Sequence, residues 1–397
     1  MFEVLKKDKR TKARLGLLKT PHGIIKTPSY VFVGTYGRIL HLSRNDIKNT
    51  KTQVIISNTF HLWDKVESYK NSKSVIRNEL TRNFGKLPIM TDSGGFQVLS
   101  LAFSDKNKVG KFMTGEAKAD KSYKRSKIKI TEKGVHFLFN GKKMFLGPEL
   151  SMKLQEKIGA DILFAFDHIT SPLDTYKYNQ KALRLTNKWA KICLKEHATN
   201  QKNRANKQIL FGIVQGGLFK DLRIQSAKSI GSMPFDGFGI GGSYTKKQIA
   251  KVLKWIIPHL PEEKPRHLLG VGKVEDIFEA IENGVDTFDC VIPTREARHG
   301  RLYTKTGYID IRRGYYSKDK KITETGCGCF TCTKKISRAK IRELIKSKDR
   351  ILNAQGQRWC LMHNMWFFNN LLEDIRKSIA GGKFKEFKKK TLTKFKS

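Results

Sequence analysis

A parallel α/β barrel is the fold class this sequence predicts, and three observations carry it. Short apolar runs recur along the chain, each closing on a polar or glycine turn and usually followed by a helical pattern, as parallel strands joined by crossover helices do. The number of these runs suits a closed ring, and 397 residues hold one barrel of about 250 residues plus additions as readily as two average domains. Asp92, Asp167, Gln215, Gly242 and Asp289 all stand just past such runs, where barrels of this kind assemble their sites.

The first run, Tyr30 to Val33, leads into the turn Gly34-Thr35-Tyr36-Gly37. Val54 to Asn58 is a second, and Leu87 to Thr91 a third that delivers Asp92-Ser93-Gly94-Gly95-Phe96-Gln97. Adjacent glycines let backbone come close to a ligand, and the aromatic beside them offers a flat stacking face. From Ser104 to Lys129 the chain is polar, Lys-rich and without period, so a surface excursion is expected. Gly134 to Phe145 alternates like a hairpin around Asn140-Gly141. Pro148 to Ile158 is helical in pattern, and Asp161 to Asp167 is a strand ending in a carboxylate.

Gln180 to His197 has helical spacing. Ile209 to Gly217 delivers Gln215 into a Gly-Gly turn, and Phe235 to Gly242 repeats the theme. Gln248 to Ile257 is a helix stopped by Pro258; His267 to Gly272 is a strand with its turn, and Val274 to Glu282 the helix after it. In Gly284 to Gly300 an apolar pulse carries Asp289, then meets Pro293 and a basic, Gly-ended turn with Arg295 and Arg298. A carboxylate at such a strand end is costly unless it works, and the two arginines could hold an anionic substrate beside it. Taken alone, Asp289 reads equally well as a residue capping a turn. Three such carboxylates plus an amide and repeated Gly-Gly turns are harder to read as structural.

Lys and Arg number 78 against 36 Asp and Glu, a formal charge of +42 that favours a polyanionic partner. Met1 to Arg14 has no apolar core behind its charges, and no apolar run reaches bilayer length, so a soluble, cytoplasmic protein with no membrane partner is expected. Of six cysteines, three crowd together as Cys327, Cys329 and Cys332, which suggests a metal rather than a disulfide framework. With His363 they would close a tetrahedral zinc shell, and a closed shell is structural; Cys360 is a rival fourth ligand. Ser337 to Lys348 and Trp366 to Ile379 look helical, and Lys383 to Ser397 reads as a solvated basic end.

Together Val33-Gly34-Thr35-Tyr36-Gly37, Asp92 to Val98, Gly212 to Gly217, Gly270-Val271-Gly272, Phe288 to Val291, Pro293-Thr294-Arg295 and the cysteines resemble the bacterial-type tRNA-guanine transglycosylases, also known as queuine tRNA-ribosyltransferases. The resemblance covers nearly the whole chain. It implies an irregular (β/α)8 TIM barrel over residues 1–305, a zinc-binding subdomain over 306–366, and a C-terminal helix with a basic tail over 367–397 packing back on the barrel. The implied reaction, a step of queuosine biosynthesis, exchanges the wobble guanine of tRNA with a GUN anticodon for a 7-deazaguanine such as preQ1. The implied working form is a homodimer with one structural Zn2+ per chain.

By the same resemblance Asp289 is the nucleophile and Asp92 the general acid/base, while Ser93, Gly94, Gly95, Phe96, Asp167, Gln215 and Gly242 hold the base. Gly270, Val271, Gly272, Lys273, Val274, Glu275 and Asp276, with Thr294, Arg295, Glu296, Ala297 and Arg298, match the parts that hold the anticodon. The residue types suit the chemistry. A carboxylate can trap an oxocarbenium-like centre covalently while a second manages protons, and a flipped purine is read by its edge and by stacking. His168 and Ile169, and the stretch Ser243, Tyr244, Thr245, Lys246 and Lys247, depart from the family's pattern and bear on which deazaguanine enters. Two other readings are a non-catalytic RNA-binding partner subunit, which would be expected to lose Asp92 and Asp289, and a DNA-modifying relative, against which the anticodon-type elements and the cysteines argue.

Overall fold

Strands buried on both faces read as continuous apolar runs rather than alternating ones, and the barrel follows that rule. The computed structural model describes residues 2–69, 75–101, 128–201, 207–242 and 246–395. An antiparallel sheet of β1 (Phe2–Lys7), β2 (Arg14–Thr20) and β3 (Gly23–Thr27) opens the chain, followed by β4 (Ser29–Val33), β5 (Ile55–Ser57) and β6 (Ile89–Thr91). A second antiparallel sheet, β7 (Ile128–Thr131), β8 (Gly134–Phe139) and β9 (Lys142–Leu146), precedes β10 (Ile162–Phe164), β11 (Ile209–Val214), β12 (Gly237–Ile240), β13 (Arg266–Leu268) and β14 (Thr287–Asp289). Strands β4, β5, β6 and β10 to β14 close into one parallel ring of eight, sealed where Thr287 pairs with Ser29 and Phe288 with Tyr30.

The barrel interior is filled by Val31, Ile56, Met90, Ile162, Phe164, Phe211 and Ile213, and Leu18 and Ile25 of the opening sheet join them. That sheet leads directly into the start of β4, so it plugs the end opposite the site. Arg14 fixes it there by a buried ion pair with Asp286, Nη2 to Oδ2 at 2.6 Å, just ahead of β14. The sequence reading did not anticipate β1 to β3, because their outer faces are exposed and carry lysines.

The helices form the outer layer. They are α1 (Arg44–Asn49), α2 (Thr59–Ser68), α3 (Val75–Phe84), α4 (Gly95–Leu101), α5 (Pro148–Ile158), α6 (Tyr176–Gln201), α7 (Lys220–Gly231), α8 (Lys246–Ile256) and α9 (Val274–Glu282). The basic turn expected after Asp289 is instead helical, α10 (Ile292–Arg298), because Pro293 falls in its first turn, where a missing N–H costs nothing. A hairpin of β15 (Arg301–Thr304) and β16 (Gly307–Asp310) then leads to α11 (Phe330–Thr333), α12 (Arg338–Lys346), α13 (Arg350–Ala380) and α14 (Phe384–Lys394).

Helix α13 begins sixteen residues before the expected Trp366, capped by the Asp349 carboxylate on the Ile351 and Leu352 N–H groups. Cys360 to Met365 are all buried in succession, so the usual amphipathic period is missing from the sequence. Residue 366, where a subdomain limit was expected, lies inside this continuous helix. The basic end is also helical rather than solvated throughout: Phe384 is buried in α14 against Phe278 of α9. Most of the expected excursion from Ser104 to Lys129 lies outside the described residues, although 128 and 129 belong to β7. Among the described residues no helix is long and apolar enough to cross a membrane.

Candidate active site

At the C-terminal ends of the barrel strands lies a cavity of about 430 Å3, within the usual range for a small-molecule site. Asp92, Ser93, Phe96, Asp167, Gln215, Gly242, Gly270, Val271 and Asp289 all line it. Residues up to 197 positions apart in sequence are thus brought to one mouth, as the barrel topology requires.

Asp92 follows β6 and faces the N-terminus of α2. Its Oδ1 accepts from the Thr59 N–H at 3.1 Å and the Gly94 N–H at 3.0 Å, and its Oδ2 accepts from Asn58 Nδ2 at 2.6 Å. Burial pushes this carboxyl up to about 7; the bonds from Thr59, Gly94 and Asn58 hold it down, and the nearby charge of Asp289 adds to the rise. A carboxyl poised there can both give and take a proton near neutrality. Gly94 turns the chain with φ +80°, a conformation that disfavours any residue with a side chain.

On the neighbouring strand Asp167 is buried and raised to about 6, again mainly by desolvation, against hydrogen bonds from Gln215 and Ser93. Gln215 Nε2 donates to Asp167 Oδ2 at 2.7 Å, which ties the two base-edge candidates into one unit. Gly241 must be glycine for this: a Cβ there would come within 2.4 Å of Gln215 Nε2. Phe96 is 40 % exposed at the pocket rim.

Asp289 ends β14. Its Oδ1 lies 3.1 Å from His267 Nε2 and 3.3 Å from the Gly270 N–H. Around the mouth, Gly270, Lys273 and Arg295 are exposed, and Glu275, Asp276, Glu296 and Arg298 are half-buried. Val271, Gly272, Val274, Thr294 and Ala297 are buried, Val271 in the wall of the cavity itself. His168 meets Tyr178 through Nε2 at 2.9 Å, and Ile169 lines the pocket wall. Ser243 to Thr245 lie outside the described residues.

Three residues at the site escaped the sequence reading. Asn58 could have been suspected as the cap of α2, since Asn before a helix usually accepts from its first turn. His267 sits inside an apolar run and gave no signal. Arg223, fully buried, donates to the carbonyls of Gly217 and Gly241 at 2.7 and 2.8 Å, so it ties the two Gly-Gly turns together from behind.

The cysteine cluster is separate from this cavity. Cys327, Cys329 and Cys332 surround His363 Nδ1 with Sγ distances of 3.8, 3.3 and 3.7 Å, and all four donor atoms lie within 4.8 Å of one another. His363 Nε2 donates to the Tyr303 carbonyl at 2.7 Å, which leaves the bare Nδ1 lone pair aimed at the sulfurs. Ligand bonds of about 2.3 Å to sulfur and 2.0 Å to nitrogen around a tetrahedral ion imply separations of this size. The cluster could therefore hold a metal ion, and its fourth donor is His363. Cys360, one turn earlier on α13, lies outside it, buried in the apolar core.

The profile of the family described as Queuine tRNA-ribosyltransferase matches residues 8–397. A queuine tRNA-ribosyltransferase of Clostridium perfringens (strain SM101 / Type A) is 40% identical over 98% of this chain and 97% of its own length. Another, from Clostridium botulinum (strain Langeland / NCTC 10281 / Type F), is 38% identical over 99% of this chain and 98% of its own. With matches of this extent joined to the barrel and the cysteine–histidine cluster, the chain belongs to the queuine tRNA-ribosyltransferase family of pentosyltransferases.

Proposed function

We propose that this protein exchanges the wobble guanine of tRNA for a 7-deazaguanine, with preQ1 as the incoming base, through a covalent ribosyl intermediate on Asp289. One observation carries the reading: two carboxylates with different surroundings line one cavity, Asp92 raised by burial and Asp289 bound, among the described residues, through Oδ1 alone. In the first displacement Asp289 forms a bond to ribose C1′ as the C1′–N9 bond breaks. The electron pair leaves with guanine, which takes a proton from the Asp92 carboxyl. In the second, the incoming base gives its N9 proton to the Asp92 carboxylate and attacks C1′, and the electron pair of the ester bond returns to Asp289. Two displacements give net retention.

Asp167, when ionised, accepts from the N1–H and amino donors of the purine edge, and the second N–H of the Gln215 amide is available to its carbonyl. Phe96 offers the stacking face. Exposed Lys273 and Arg295 beside the mouth suit phosphate contacts. The cluster at His363 would hold one structural zinc, which fixes the C-terminal part beside β15 and supplies no step of the reaction. A cytoplasmic setting and a homodimer complete the proposal.

The direct test is incorporation of radiolabelled guanine into total tRNA by the purified protein, with unlabelled preQ1, queuine and other 7-deazaguanines as competitors. Exchange suppressed most strongly by preQ1 is expected. A protein that binds tRNA yet incorporates no label contradicts the reading, and stronger competition by another base corrects the choice of substrate.

A further inference from the structure

The carboxylate of Asp289 is asymmetrically held. Both of its hydrogen bonds, from His267 Nε2 at 3.1 Å and the Gly270 N–H at 3.3 Å, fall on Oδ1. Among the described residues Oδ2 receives none. His267 is fully buried on β13 and is the register partner of Thr287 on β14. Its second nitrogen, Nδ1, lies 2.9 Å from Thr287 Oγ1, and its ring packs on Phe164 at a centroid distance of 5.1 Å.

Hydrogen-bond complementarity fixes the tautomer. An ionised carboxylate only accepts, so Nε2 carries the proton; Nδ1 is then bare and accepts from the Thr287 hydroxyl. Every polar atom of the ring is satisfied in one orientation, and that orientation points Nε2–H at Oδ1.

We propose that His267 is a positioning residue that anchors Oδ1, so that Oδ2 is the oxygen that bonds to C1′. This rests on Asp289 being the nucleophile. The bonds formed and broken are those already given, and His267 neither gains nor loses a proton. Its hydrogen bond is stronger to the free carboxylate than to the ester, because charge-assisted bonds are the stronger kind. His267 therefore favours the return of the electron pair to Asp289. Without it the second displacement slows, and the covalent adduct outlives its normal time.

The test compares His267→Leu, which removes the donor, with His267→Gln, whose amide nitrogen reaches a similar place. Pre-formed adduct is chased with saturating guanine and followed on denaturing gels. Loss of one charge-assisted bond should slow adduct breakdown about 10- to 100-fold in His267→Leu. Affinity for tRNA should stay within about twofold, since no tRNA contact is changed, and His267→Gln should regain most of the rate. Wild-type breakdown in a folded His267→Leu protein overturns the proposal, as does equal slowing in the Gln variant. Thr287→Val serves if the Leu variant does not fold: it leaves both contacts to Asp289 but frees the ring, and should slow breakdown severalfold, with no change counting against the idea. Peptide mapping of the wild-type adduct separates the two readings. RNA linked to a peptide without Asp289 removes the nucleophile assignment itself.

Discussion

Asn58 grips Asp92 and starts a helix with the same amide: Nδ2 donates to Asp92 Oδ2 at 2.6 Å, while Oδ1 accepts from the His61 N–H at 3.0 Å. The carboxyl proposed to exchange protons is thus held by the end of β5 and the first turn of α2. Replacing Asn58 by Ala removes a donor to a partly buried charge and the cap of α2 together. Stability should fall by about 1–3 kcal/mol, and exchange by a larger factor than tRNA binding, measured by denaturation and by steady-state kinetics.

Under the proposed roles, the Asp92 carboxyl, pushed up to about 7 by burial, gives the two half-reactions opposite pH limbs. Release of guanine in a single turnover needs the protonated acid and should decline as pH rises past about 7. Resolution of the adduct needs the carboxylate and should decline as pH falls below it. Asp92→Asn should lower exchange at least roughly 100-fold. Its stability relative to wild type should rise with pH between about 4 and 7, because the folded protein holds this proton more tightly than the unfolded chain there. A pH-independent difference in melting temperature between the two proteins is the contrary result.

Asp289→Ala should abolish exchange and the adduct trapped on denaturing gels, with the fold intact, since the side chain is at a solvent-open mouth. An adduct of unchanged yield in this variant rejects the assignment.

Asp167→Asn presents an N–H where the purine edge also presents donors. The value of kcat/KM for guanine should fall at least about 100-fold, with tRNA affinity retained. In wild type the KM for the free base should rise as pH drops below about 6, where Asp167 takes up its proton.

Metal analysis should find one zinc per chain, lost in Cys329→Ser together with several degrees of thermal stability. Cys360→Ser should keep the metal and His363→Ala should lose or weaken it. The reverse pattern would make Cys360 the fourth ligand.

Arg14 and Asp286 are 2% and 0% exposed and paired at 2.6 Å. Arg14→Met leaves Asp286 buried without that partner, and should cost about 3–5 kcal/mol in denaturant unfolding. Loss of under about 1 kcal/mol would mean that the opening sheet is held by its apolar contacts alone.

The sequence by itself determined the ring of eight strands, the residues at their ends and the three thiolates. Strands buried on both faces leave unbroken apolar runs, and a site at strand ends leaves carboxylates and glycines directly after them. Helix limits were legible where local chemistry sets them, as with α5, which starts at Pro148 and ends where Gly159 adopts φ +78°. The tertiary structure decided what depends on neighbours distant in sequence. Helix α13 carries no amphipathic signal because it is buried along its middle, and the opening sheet is placed by an ion pair spanning 272 residues. His363 rather than Cys360 joins the thiolates because one turn of helix separates the two and only His363 faces the sulfurs. His267 looked like one more strand residue until folding set it beside Asp289, since hydrogen bonds between adjacent parallel strands have no signature in either strand alone.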